Sequence, residues 1–423
     1  MGRFLYNLLL PVVFVFFLPR LLFRYRTRGG WKSTFGERFG NYGSRRGELA
    51  KFRGATWVHA VSVGETIVAL SMIRRYLERY PERRFVLSTT TTTGQEIARA
   101  NAPENTVVIF CPIDFPWMVK KCLDLLRPAQ LVIFETEIWP NMISLAKKRD
   151  IPVLLVNGRL SDRSARGYRR LRCFFAPLLC QFDNILAQSE NDALRFLSVA
   201  PKAKVVNCGN LKFDQKLPEL KDENLLQAYL GEGEVILAGS THPGEEELMV
   251  NCFRDLRKSF PNLKLALVPR HAERGDDISE MLKKSGFTFV RRSYGTFPDE
   301  KADILLADST GEMTQFMKDA DIVVMGKSFA GHDEGHNLIE PAMLCKAVVT
   351  GPVLRNFRYL LNVLKEAQAV VTATDEELTG VLYRLVGNEV ERRTLGERAF
   401  RTIGANGGAA DRAVDALEAA LKK

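Results

Sequence analysis

Residues Thr56 to Leu77 read "TWVHAVSVGETIVALSMIRRYL". An apolar run from Trp57 to Val61 halts at Ser62-Val63-Gly64, and a helical pattern starts directly behind it. Such a run, a glycine turn and then helical periodicity mark a strand feeding a helix. The same unit recurs along the chain. Strands are expected at 56–61, 84–88, 107–111, 131–134, 153–156, 184–187 and 205–208. A second series is expected at 235–239, 264–268, 287–290, 304–307, 322–325 and 347–349. Strands rich in Val, Ile and Leu that alternate with helices imply parallel sheets covered on both faces. No period of about 20–50 residues repeats.

The expected plan is α/β, with two doubly wound Rossmann-like domains facing each other and ligands at the carboxyl ends of the strands. At 423 residues the chain exceeds one ordinary core, which agrees with two domains. The boundaries read as an N-terminal segment 1–30, a first domain 31–215, a polar linker 216–232 and a second domain 233–423.

The net charge of +10 is uneven, with nine Lys/Arg against two acids in residues 1–50. The remainder is close to neutral, so no broad nucleic-acid-binding face is expected. Seven cysteines form no CxxC pair and read as reduced thiols, mostly in the core. At the N-terminus, "FLYNLLLPVVFVFFLPRLLFRYRTRGGWK" is apolar from Phe4 to Leu18 and then meets Arg20, Arg24, Arg26, Arg28 and Lys32. No small-residue cleavage site follows, so an anchor rather than a removed signal is expected. The run is slightly short for a ~30 Å hydrocarbon core, which leaves a short span or a helix lying in the interface. In both cases the basic collar places the rest of the chain on the cytoplasmic side, beside anionic lipid.

Candidate sites sit where strands end. No G-x-G-x-x-G follows a strand, which disfavours a nicotinamide or flavin enzyme. "MGKSF" (325–329) imitates a phosphate-binding loop, but Asp321 stands where that motif needs glycine. Behind the first strand, Gly64 would let the backbone turn tightly, and Glu65 sits at a helix N-terminus. There the helix dipole is expected to lower the pKa of Glu65 and keep it ionised, able to take a proton from a sugar hydroxyl. The alternative role for Glu65 is an N-terminal cap. In "FETEIWPNM" (134–142), Glu135 and Glu137 would share a face of an extended segment, beside Trp139. In "AGSTHPGEEELMV" (238–250), Ser240, Thr241 and His242 precede a helix and read as an anion site or as ordinary caps. Arg270 and His271 end another strand and could pair with a phosphate. His336 and Asn337 open a helix with Glu340 one turn on, where an acid can accept both hydroxyls of a ribose. His332 and His336, with Asp333 between them, lie in a glycine-bearing loop rather than on one helix face, so no metal site is expected.

Nine ordered blocks carry a resemblance across nearly the whole chain: "HAVSVGET", "ETEIWPNMI", "NGRLSDRSARGY", "AQSENDALRF", "GNLKFD", "GSTHPGEEE", "LVPRHAER", "DSTGEM" and "GHNLIEPA". Together they resemble the 3-deoxy-D-manno-octulosonic acid (Kdo) transferases of lipopolysaccharide synthesis. That resemblance implies an inverting GT-B glycosyltransferase on the cytoplasmic face of the inner membrane. It would move Kdo from CMP-Kdo onto a lipid A precursor, lipid IVA, with no cofactor or metal. Glu65 matches the family's proposed general base and Glu137 an acid of its acceptor cleft, with Ser62, Gly64, Glu135 and Trp139 on the acceptor side. Ser240, Thr241, His242, Arg270 and His271 match the side that holds the nucleotide phosphate. His336, Asn337 and Glu340 match the ribose segment, and Gly311 and Glu312 in "DSTGEM" lie near the cytidine. Where the family usually shows two glycines before "SF", this chain has Gly326-Lys327, and Lys327 is expected to point to solvent. Two other readings share these features: a GT-B transferase using a UDP-sugar on a membrane lipid, and a non-catalytic sugar-nucleotide sensor.

Overall fold

The structure, a computed structural model, describes the backbone of residues 2–28, 36–295 and 300–422, with the side chains of all but residues 2 and 17–28. Two compact units emerge: Met1–Gln215 with Asn406–Lys423, and Lys216–Ala405.

The first unit holds β1 (Thr56–His59), β2 (Phe85–Thr89), β3 (Thr106–Phe110), β4 (Gln130–Phe134), β5 (Val153–Gly158), β6 (Asn184–Ala187) and β7 (Val205–Asn207). They form one sheet in the order β3-β2-β1-β4-β5-β6-β7, parallel throughout. Successive residues of a strand point to opposite faces. Trp57, Val86, Ile133 and Leu155 therefore build one core with Val119, Leu123, Met142 and Ile143. Val58, Leu87, Val132 and Leu154 build the other with Val68, Met72 and Ile73. Both faces are buried, which is why these strands read as continuous apolar runs.

The second unit repeats the plan with β8 (Val235–Thr241), β9 (Lys264–Pro269), β10 (Phe289–Arg291), β11 (Ile304–Leu306), β12 (Ile322–Met325), β13 (Ala347–Thr350) and β14 (Val371–Thr372). Their order is β10-β11-β9-β8-β12-β13-β14, again all parallel. The thirteen expected strands are present, and β14 is the addition. At two residues it is too short to show a period.

Two expected boundaries change. The C-terminal helix Ala409–Leu421 belongs to the first unit, not to a second domain running to 423. Its acids at 411, 415 and 418 meet arginines spaced along the helix Val63–Arg79 and just beyond: Arg75–Asp411 at 2.8 Å, Arg79–Asp415 at 2.6 Å and Arg83–Glu418 at 2.9 Å. Its apolar face adds Ala413, Val414 and Leu417 to the core around Val58. The expected linker is also partly structure. Leu226, Tyr229 and Leu230 are buried, and the Lys221 and Leu225 amides donate to Gln315 and Asp319 of the second unit.

The N-terminal helix, Gly2–Arg28, lies on the first unit. Phe14 packs edge-on against Phe115 at 5.5 Å, while Phe4, Leu8, Val12 and Phe16 are exposed on the other side. Among the described residues no helix is long and apolar enough to cross a membrane. The side chains of Arg20, Arg24, Arg26, Arg28 and Lys32, and the boundary at residue 30, lie outside the described residues. All seven cysteines are free; Cys111, Cys122, Cys208 and Cys252 are buried, whereas Cys173, Cys180 and Cys345 are exposed.

Candidate functional site

In a doubly wound sheet, ligands bind beyond the carboxyl ends of the strands where the strand order reverses. Those points lie between β1 and β4 in the first unit and between β8 and β12 in the second. The loops leaving these four strands carry most of the candidate residues.

Behind β1, Ser62 caps the helix Val63–Arg79, its hydroxyl accepting from the Glu65 amide at 3.3 Å. The Glu65 carboxylate in turn accepts from the Val61 amide at 2.9 Å and the Ser62 hydroxyl at 2.8 Å. The capping role is thus made, and the side chain is 7% exposed. Its pKa moves opposite to the dipole expectation. Burial raises it, against the pull of the Val61 and Ser62 donors, and the nearby Glu135 charge adds to the rise. The expected glycine turn is absent: Gly64 lies inside the helix, and a methyl group there would touch nothing within 4 Å. Gly64 leaves open space beside the acid rather than bending the chain.

Behind β4 the chain turns instead of extending. Glu135 adopts φ +56, Ile138 N–H donates to the Thr136 carbonyl at 2.9 Å, and Pro140 starts the next helix. Glu135 and Glu137 therefore share no strand face. Glu135 pairs with Lys212 at 3.3 Å. Glu137 is raised to about 7, first by burial, then by the charge of Glu65 and finally by that of Glu135; the Trp139 indole opposes the shift. That indole nitrogen is buried and makes no hydrogen bond of ordinary geometry, so it restrains Glu137 only by proximity. Beneath it lies His59, edge-on to Trp139 at 6.3 Å and fully buried. Its Nδ1 meets the Ser88 hydroxyl at 3.0 Å, and burial holds its pKa down at about 4. Three carboxylates with one lysine make this site acidic, and the neighbouring charges add to the rise that burial imposes on the Glu65 and Glu137 carboxyls.

In the second unit the expected anion cradle already holds an anion, supplied by the chain. Buried Glu245 accepts from the His242 amide at 2.8 Å, and from the Lys327, Ser328 and Phe329 amides at 2.8, 2.9 and 3.0 Å. One carboxylate thus ties the β8 loop to the β12 loop. Thr241 is also committed: its hydroxyl donates to Glu246 at 2.7 Å, and Arg274 grips Glu246 with two bonds. Ser240, at φ +56, points its hydroxyl to the Met313 sulfur at 3.2 Å. Neither caps the next helix, whose N-cap is Gly244.

Above that frame, four of the five histidines gather. His242 Nε2 and His336 Nε2 are 3.2 Å apart, and the His332 and His271 rings lie 5.4 and 5.9 Å from the His242 ring. Both His242 and His336 are lowered to about 4, first by burial. Neighbouring cations add to this, Lys327 acting on both rings and Arg270 on His336. Each neutral imidazole keeps one N–H donor, which beside Arg270 and Lys327 can be offered to an anion. Among the described residues no group of three or more His, Cys, Asp or Glu could hold a metal ion.

Lys327 departs from its expected place in solvent. Its ammonium is 3.9 Å from Glu334, its side chain is 28% exposed, and its backbone is left-handed at φ +60. That conformation costs a non-glycine residue roughly 1–2 kcal/mol, which accounts for a glycine preference at this position. Lys327→Gly is therefore expected to stabilise the fold by at most about 1 kcal/mol, once glycine's own entropy is subtracted. NMR titration of the same variant should show His242 and His336 moving upward in pKa.

Around the ribose and base candidates, Glu340 accepts from Thr314 at 2.9 Å, and Asn337 accepts from the Ile339 amide at 3.1 Å. Glu312, after Gly311, is held by two bonds from Arg292 at 3.1 and 2.8 Å. Sequence reasoning missed Lys212, His59, Glu245 and Arg292. Lys212 and Glu245 lie within the quoted blocks "GNLKFD" and "GSTHPGEEE", but nothing local distinguishes them from surface charges.

Two Rossmann-like units, each built on an all-parallel seven-stranded sheet, one with an acidic site and one with a histidine–cation site at the strand switch, give the chain the α/β GT-B fold. The UDP-GlcNAc 2-epimerase of Neisseria meningitidis shares this fold, with a TM-score of 0.56 and 13% identity over 86% of this chain and 99% of that one. Residues 33–215 match the family described as 3-deoxy-D-manno-octulosonic-acid transferase (kdotransferase). The 3-deoxy-D-manno-octulosonic acid transferase of Haemophilus influenzae is 32% identical over the full length of both chains. That of Bordetella pertussis is 31% identical over 99% of each. The chain belongs to the 3-deoxy-D-manno-octulosonic acid transferase family.

Proposed function

We propose that this Kdo transferase takes Kdo from CMP-Kdo and attaches it to the glucosamine 6-hydroxyl of lipid IVA. The observation that supports this most is the place of Glu65, held at the strand switch by the Val61 amide and the Ser62 hydroxyl. It is close enough for its charge to help burial raise Glu137 to about 7. The acceptor oxygen attacks the anomeric carbon of Kdo as the bond from that carbon to the CMP phosphate oxygen breaks. The bonding pair leaves with CMP, the hydroxyl proton passes to Glu65, and configuration inverts. A base of this kind contributes roughly 10²–10⁴-fold. His242, His336, Arg270 and Lys327 would stabilise the charge that develops on the departing phosphate, as preorganised donors do. A second reading makes Glu137 the base, because a pKa near neutrality suits proton transfer and both Glu65 oxygens already serve the helix cap.

We place the protein on the cytoplasmic face of the inner membrane, with the exposed apolar side of the N-terminal helix in the bilayer interface. Donor identity is checked by thermal shift. CMP is expected to raise the melting temperature and UDP to leave it unchanged; stabilisation by UDP alone would favour a UDP-sugar transferase. Mass spectrometry of lipid IVA after incubation with CMP-Kdo reads the transfer itself, and CMP binding without any product would favour a sensor.

A further inference from the structure

Between Phe4 and Leu18 only Tyr6 and Asn7 are polar. Both reach the same point of the first unit. The Tyr6 hydroxyl donates to Asp114 Oδ2 at 3.0 Å, and the Asn141 side-chain amide donates to Asn7 Oδ1 at 2.6 Å. Asp114 is fully buried and accepts from the Asn141 and Met142 amides at 2.9 and 2.8 Å. Its carboxylate therefore caps the helix Pro140–Lys147, which begins directly after Trp139 and the turn bearing Glu135 and Glu137. The Asn141 side chain also donates to the Asp114 carbonyl at 2.6 Å, so the cap and the N-terminal helix share one residue.

A second line of contacts runs from the same tyrosine. The Tyr6 ring lies 6.4 Å from Phe174, which meets Phe175 edge-on at 5.0 Å. Phe175 stacks on Tyr168 at 3.8 Å, and the Tyr168 phenol feels the charge of Glu137. Tyr6 is thus joined to the surroundings of Glu137 by a hydrogen-bonded route and by an aromatic one. A membrane tether alone requires neither, because an apolar helix holds to a bilayer by its outward face.

We propose that Tyr6 and Asn7 are positioning residues for transfer: by docking the N-terminal helix on Asp114 and Asn141 they fix the Glu135–Trp139 turn. The helix is then a wall of the acceptor side as well as a membrane contact. This rests on the acceptor reading of Glu65 and Glu137 given above.

The test uses the full chain carrying Tyr6→Phe and Asn7→Ala, assayed in detergent with saturating CMP-Kdo and lipid IVA. Misplacing a reacting group by about 1 Å can cost up to 10²-fold, so kcat is expected to fall roughly 10- to 100-fold. The KM for CMP-Kdo should stay within about two-fold, because the donor residues lie in the other unit. Flotation with liposomes should be unchanged. A chimera with an unrelated apolar helix in place of residues 1–20 should float equally well and be equally slow. Parental kcat in either protein overturns the proposal, as does a rate loss matched by lost flotation or by unfolding. The Glu137 carboxyl titration, followed by ¹³C NMR, needs no substrate. Tyr6→Phe is expected to move its midpoint by about 0.5 pH unit or more, since a charged group's pKa follows its immediate surroundings. An unmoved midpoint overturns the proposal even if the parent transfers no Kdo, and that inactivity would separately refute the acceptor reading.

Discussion

Glu65→Gln is expected to slow CMP release from CMP-Kdo and lipid IVA by roughly 10²–10⁴-fold, the usual contribution of a positioned base. The substitution is close to isosteric, and one amide oxygen can still accept from the Val61 amide or the Ser62 hydroxyl, so the helix cap is only weakened. Melting should fall by the loss of part of a cap, about 1 kcal/mol. Removing this charge also removes a cause of the high Glu137 pKa, which should drop from about 7 toward the ordinary carboxylate range. The sign of the pH dependence follows. In the parent, the rate is expected to rise with pH through about 7 as the coupled carboxyls ionise. Stability runs the other way: a carboxyl whose folded pKa exceeds its unfolded value of 4.5 favours the fold below 4.5, and that contribution is lost as pH rises through about 7. Turnover of Glu65→Gln within a few-fold of the parent, with Glu137→Gln inactive, would transfer the base role to Glu137.

The second large effect is expected at a residue with no part in proton transfer. Glu245→Gln turns one of two accepting oxygens into a donor that faces backbone amides, either those of His242 and Lys327 or those of Ser328 and Phe329. Two amides lose their partner inside a closed loop junction. A buried unsatisfied group costs about 1–3 kcal/mol, so a loss of roughly 2–5 kcal/mol is expected in urea denaturation. Because Glu245 joins the β8 and β12 loops, CMP affinity should fall with it. A change below about 1 kcal/mol, with CMP affinity retained, would show that the loops hold their places without this carboxylate.

Both effects arise where local reading and folded arrangement part. At Glu65 the sequence offered two roles, and the cap is one the chain can specify alone: Ser62 and Glu65 stand three apart at a helix start. Its pKa could not be read in the same way. The helix dipole argues for a lowered value, but burial and the approach of Glu135 come from β4, about seventy residues on. The misread geometry of Glu135 and Glu137 has a similar origin. Alternation implies a shared face only on an extended segment, and the positive φ at Glu135 turns the chain directly after the strand ends at Phe134, where the pattern also ended it. At Ser240 and Thr241 small hydroxyls before a helix read as an anion site, but the amides of that junction are already claimed by Glu245.

Chain periodicity by itself determined the two parallel sheets, because strands buried on both faces must be apolar at every position and leave a distinct record. It also pointed to the loops that carry the candidate residues, since ligands of such sheets bind beyond the carboxyl ends of the strands, whereas the strand order came from the structure. Tertiary structure alone decided the destination of the C-terminal helix, whose acid stripe finds its arginines more than three hundred residues away. It alone also decided the gathering of four histidines around His242 and the attachment of the N-terminal helix to Asp114. Those outcomes depend on side-chain charge and burial between segments far apart in the chain, and no local period encodes such distances.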